Sequence, residues 1–87
     1  MPINTYNVAL WRQLPRETQL PYWADNVQAS DPLQAVLFTM STCQLEKVAH
    51  AAAHLVGTSE ITRYQDVELY IDDEGNLKGG YLDDETV

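Results

Sequence analysis

The stretch Ser41 to Gly57, STCQLEKVAHAAAHLVG, constrains this chain more than any other. Ser41 followed by Gln44 has the form of a capping box: the serine hydroxyl accepts from a free backbone N–H and the glutamine returns the bond. Gly57 follows the apolar pair Leu55-Val56, where a left-handed residue commonly closes a helix. Between these ends stand Ala49, Ala51, Ala52 and Ala53, the residue type of highest helix propensity. The spacing predicts a helix over 41–57. At about 100° per residue, Leu45, Val48, Ala49, Ala52, Leu55 and Val56 form one apolar stripe. Its alanines would let a sheet or a second helix approach closely.

On that helix the opposite face carries Cys43, Glu46, His50 and His54. Side chains four apart on a helix stack along one side. Two histidines so spaced can share a metal ion, and a thiolate or carboxylate can complete a zinc site. The pattern is HAAAH, without the glutamate general base of a zinc protease helix. The plainer reading of the same residues is a solvated face with an incidental cysteine. No cofactor is expected, and zinc belongs only to the alternative reading.

A chain of 87 residues is one domain, close to the size at which a single core becomes thin. The domain is expected over residues 1–82, with 83–87 as an acidic tail. One cysteine excludes an intramolecular disulfide and fits a reducing, cytoplasmic setting. No run approaches the roughly 18 apolar residues of a membrane span. The N-terminus has no basic region ahead of an apolar run, so no secretory signal is expected. Net charge is −8, and residues 60–87 hold nine of the thirteen acids. Such a field disfavours direct nucleic-acid binding and attracts basic partners.

Along the chain, Tyr6, Val8 and Leu10 alternate as in a strand over 3–11. Gln-Leu-Pro occurs at 13–15 and again at 19–21, marking a connector. Tyr22 to Val27 reads as a short helix entered from Pro21. Asp31 as cap, Pro32 at the first helical position and Gln34 at the third open a helix of about two turns. Leu33, Val36, Leu37 and Met40 share its apolar face, with Phe38 opposite. Val67, Leu69 and Ile71 alternate with Glu68, Tyr70 and Asp72 as a half-buried strand. The turn Asp73-Glu74-Gly75-Asn76 returns the chain through Leu77 to Leu82, with a bulge or fraying expected at Gly79-Gly80. The expected fold is a small α+β domain of order β-α-α-β-β. In it the alanine-rich central helix covers the C-terminal antiparallel hairpin.

No motif of a known chemistry is complete. The acidic turn fails as a calcium loop, because counting back from its glycine puts Tyr70 where an aspartate is required. A glycine-rich phosphate loop is missing. The leading expectation is a non-enzymatic, regulatory module docking on a basic protein surface through Asp66, Glu68, Tyr70, Asp72, Asp73 and Glu74. A nucleic-acid mimic is one form of it. The alternative is a metal-binding or metal-sensing domain using Cys43, Glu46, His50 and His54. A homodimer burying Trp11, Trp23 or Phe38 is a third reading.

Overall fold

A computed structural model of the chain describes residues 3–13 and 20–83, excepting the side chains of 81–83. The elements are β1 (Asn4–Trp11), β2 (Tyr22–Ala29), α1 (Pro32–Thr42), β3 (Lys47–Leu55), β4 (Ile61–Ile71) and β5 (Leu77–Asp83). The strands form one antiparallel sheet in the order β2-β1-β3-β4-β5, and α1 lies across one of its faces. The domain is therefore mixed α+β but strand-rich. Its order is β-β-α-β-β-β rather than β-α-α-β-β. Among the described residues no helix is long and apolar enough to cross a membrane.

β1 and the β4–β5 hairpin lie where the alternation placed them. So does α1, whose cap forms as expected: the Asp31 carboxylate accepts from the Gln34 N–H at 2.8 Å, and Pro32 opens the helix. Val36, Leu37 and Met40 are fully buried and Phe38 is exposed.

The helix over 41–57 does not exist. Ser41 and Gln44, expected to open it, instead close α1. The Gln44 N–H donates to the Ser41 carbonyl at 3.1 Å and the Leu45 N–H to the Met40 carbonyl at 2.8 Å. With Gln44 at φ 59° this is a Schellman closure, formed without the glycine that usually marks it. The chain then runs into β3. Pairing on both sides overrides alanine's helix preference there, because β3 is bonded to β1 and β4 along most of its length. The hairpin is accordingly covered by α1, not by an alanine-rich helix. Ala51 and Ala53 face the core and Ala52 points to the other side, the reverse of the stripe expected on a helix.

Residues 22–27 are likewise strand, not helix. β2 is an edge strand whose phase breaks at Asn26 (φ 58°), where it carries one residue more than β1. The Asn26 N–H donates to Asn7 Oδ1 at 3.1 Å. A second bulge sits at Asp66 (φ 50°) on β4, not at Gly79-Gly80. Asparagine and aspartate tolerate the left-handed region better than other side-chain-bearing residues. At the Asp66 bulge Tyr64 and Val67 are both buried, and opposite them on β3 so are Ala51 and Val48. Both strands thus change face together without losing register, and such a bulge sharpens the sheet's twist.

The core joins Val36, Leu37 and Met40 of α1 to Tyr6, Val8 and Leu10 of β1, with Val48 and Val67 beneath the helix. Each fully buried side chain of this size contributes about 1.5–3 kcal/mol. Gly79 lies on the core side of β5, directly under Leu37. The repeated Gln-Leu-Pro connector falls largely on 14–19, and the acidic tail on 84–87; both lie outside the described residues. Asp83 ends β5.

Candidate functional site

The acidic hairpin brings its expected residues to one end of the sheet. Val67 is buried and Leu69 partly so, which turns Glu68 and Tyr70 to the uncovered face. Ile71, expected inward, is 64% exposed beside a Tyr70 that is 55% exposed. Asp66 is exposed at the bulge, and Glu68 makes an ion pair with Lys47 at 3.3 Å. Both side chains of that pair stand in water, where such contacts contribute little.

Asp72 organises the turn. One carboxylate oxygen, Oδ1, accepts from the N–H groups of Glu74 and Asn76, each at 2.9 Å, while Oδ2 accepts from the Asn76 amide. The Asn76 backbone bond above all holds this carboxyl below its usual range; partial desolvation opposes it, and the Glu74 N–H and the Lys78 charge assist. Gly75 (φ 84°) supplies the left-handed position the turn requires. Asp73 and Glu74 stand exposed at its tip. The negative charge is therefore carried on a fixed prominence.

The second set of expected residues is separated. Cys43 caps the C-terminal end of α1 and Glu46 is exposed ahead of β3. His50 and His54 share a strand face with Ala52 between them, so they no longer stack as on a helix. Their roles also differ. His54 Nε2–H donates to the Thr58 carbonyl at 2.6 Å. His50 is 3% exposed, meets the Trp11 ring edge-on at 5.4 Å, and its Nε2 accepts from Arg63 Nη1 at 3.4 Å. Among the described residues no group of three or more histidine, cysteine or acidic side chains is placed to hold a metal ion.

A feature not anticipated from the sequence lies on the uncovered face. Trp23 pairs with Ala9, Ala9 with Ala52, and Ala52 with Arg63, so four neighbouring strands contribute one row across the sheet. Two alanines make a floor between an indole and a guanidinium. Trp11, His54 and Ile61 border the resulting cleft, whose volume is about 160 Å³. Lys47, Arg63 and Lys78 all fall on this face, three of the chain's five basic residues. Of these only Arg63 borders the cleft; Lys47 pairs with Glu68, and Lys78 stands on β5 beside the acidic turn. A strand reading of HAAAH, with His50, Ala52 and His54 on one side and Ala51 and Ala53 on the other, was the signal that could have found it.

No protein-family model, curated protein or solved structure matches the chain.

Proposed function

We propose that this protein is a non-enzymatic binding module that docks on a basic surface of a protein partner through its β4–β5 hairpin, acting in the cytoplasm. The observation that carries this reading is an exposed Tyr70-Ile71 pair immediately ahead of the rigid acidic turn. An exposed aromatic inside a charged rim combines an anchor with groups that guide encounter. The turn is already ordered by Asp72, so docking costs less conformational entropy than a mobile acidic tail would. Occupation of a basic groove that otherwise takes nucleic acid is one form this docking takes.

The test begins with capture of partners from source-cell lysate on the immobilised chain. Each captured protein is then purified and its binding kinetics measured. Tyr70→Ala should raise the dissociation rate about tenfold or more, as loss of an interface anchor does. Joint reversal of Asp73 and Glu74 to lysine, which leaves the Asp72 bonds of the turn in place, should slow association and flatten its dependence on salt. Wild-type kinetics in both variants would remove the hairpin from the interface.

A further inference from the structure

We propose that the cleft on the uncovered sheet face binds an extended peptide segment of a protein partner, presenting an aromatic side chain and, two residues away, a carboxylate. This site is separate from the acidic hairpin and does not rest on the hairpin's role. Its walls are held before any ligand arrives. Trp23 Nε1–H donates to Asp25 Oδ1 at 2.6 Å, and Trp11 is held against His50 at 5.4 Å. Ordered aromatic walls reduce what a ligand must immobilise on binding.

The size of the cleft selects one ring. Its volume is about 160 Å³, and a cavity of roughly 150 Å³ holds a benzene molecule. Sites for whole cofactors or drug-sized ligands run to about 300–1,000 Å³ and bury most of the ligand. Here the ring would lie on Ala9 and Ala52 with its outer side uncovered by any described residue. A free small molecule would leave that side in water, whereas the backbone of a peptide covers it.

Arg63 selects the charge. Its guanidinium donates to His50 Nε2, and among the described residues no carboxylate forms an ion pair with it. A guanidinium recognises a carboxylate through paired, charge-assisted bonds. A single carboxylate meets it at short range. A polynucleotide, with one charge per about 1.7 Å of duplex, would instead meet the repulsion of a chain of net charge −8.

The sheet also sets the spacing. The middle of the Ala9–Ala52 floor lies one and a half strand intervals from β4, about 7 Å. Residues i and i+2 of an extended peptide project to one side at nearly that distance, about 6.6–6.8 Å. The recognised pattern is therefore aromatic-x-acidic, running across the strands.

Trp11 and Trp23 are the chain's two tryptophans and both border this cleft, so fluorescence excited selectively at tryptophan reports on it. The full chain is titrated with the capped peptide Gly-Phe-Ser-Glu-Gly, with its Gln-for-Glu analogue, and with an oligothymidylate. A saturable emission change at millimolar peptide is expected, at least about tenfold weaker for the glutamine analogue. Arg63→Gln should erase the preference for glutamate, and Ala52→Leu, which fills the floor, should abolish binding of both peptides. Circular dichroism checks that each variant retains its fold. The proposal is overturned by no saturable change with the glutamate peptide or by a glutamate preference that survives Arg63→Gln. A response to the oligothymidylate but not to the peptides would overturn it in favour of a nucleic-acid surface.

Discussion

Gly79 tests the packing of α1 on the sheet at a single atom. A Cβ built on Gly79 would lie 2.7 Å from Leu37 Cδ2, 3.3 Å from Leu37 Cδ1 and 3.4 Å from the Glu68 carbonyl oxygen. Leu37 is fully buried beside Val36 and Met40, so its methyl groups move only by displacing other core atoms. Overpacking of this kind costs about 1–3 kcal/mol. The lower entropy of an unfolded chain with alanine returns about 0.4–1 kcal/mol. Gly79→Ala should therefore have a net cost of up to about 2.6 kcal/mol. Gly80 has no atom within 4 Å of the same position and no left-handed φ, so Gly80→Ala should be stabilising by the entropic amount alone. Urea unfolding monitored by circular dichroism gives both values from the midpoint at constant slope. A double-mutant cycle sharpens the test. Leu37→Ala alone should cost about 2–5 kcal/mol by leaving a cavity, and Gly79→Ala added to it should cost nothing or recover stability. The reasoning fails if Gly79→Ala matches Gly80→Ala, or if its penalty persists once Leu37 is truncated.

Two further expectations concern β3 and the turn. Ala51→Leu and Ala53→Leu should each destabilise by about 1–3 kcal/mol, because both residues are buried in the core, while Ala52→Leu on the opposite face should change stability by no more than about 0.5 kcal/mol; thermal melts rank them. Asp72 should titrate below its usual 3.8 when its side-chain carboxyl is followed by NMR. Because the folded value is the depressed one, the support it lends the turn is present above the unfolded pKa and disappears as pH falls through the folded pKa. Asp72→Ala should flatten the stability profile in that acid window.

What could be read from the residues follows how far local pattern and tertiary setting agree. Tyr6, Val8 and Leu10 alternate because β1 has one face in the core, and the same holds for Val67 and Leu69. Asp31-Pro32 marked the start of α1 because capping is a local interaction. β2 was illegible for two reasons. As an edge strand it exposes most of its side chains, and the extra residue at Asn26 breaks the alternation on which a strand reading depends. β3 misled through its alanines, which suit a helix in isolation but here serve two surfaces, the seat of α1 and the floor of the cleft. The acidic hairpin is contiguous, so its residues were visible together. Trp11, Trp23 and Arg63 sit on three separate strands, and no reading that made β2 and β3 helical could bring them to one cleft.

The strand order also determines how the chain reaches this state. β1 with β2 and β3 with β4 and β5 are each joined to chain neighbours, so either group can zip locally. Strand to strand they meet along β1 and β3, whose partners Trp11–His50 and Tyr6–Leu55 stand roughly 40–50 residues apart, and α1 packs across both groups. Closing a loop of that length carries an entropic penalty of about 3 kcal/mol, incurred before the two halves gain a shared core. On contact order, the seam between β1 and β3 should be the late, rate-setting event of folding. Truncations along that seam, as at Val8 or Ala53, should therefore slow refolding more than they speed unfolding.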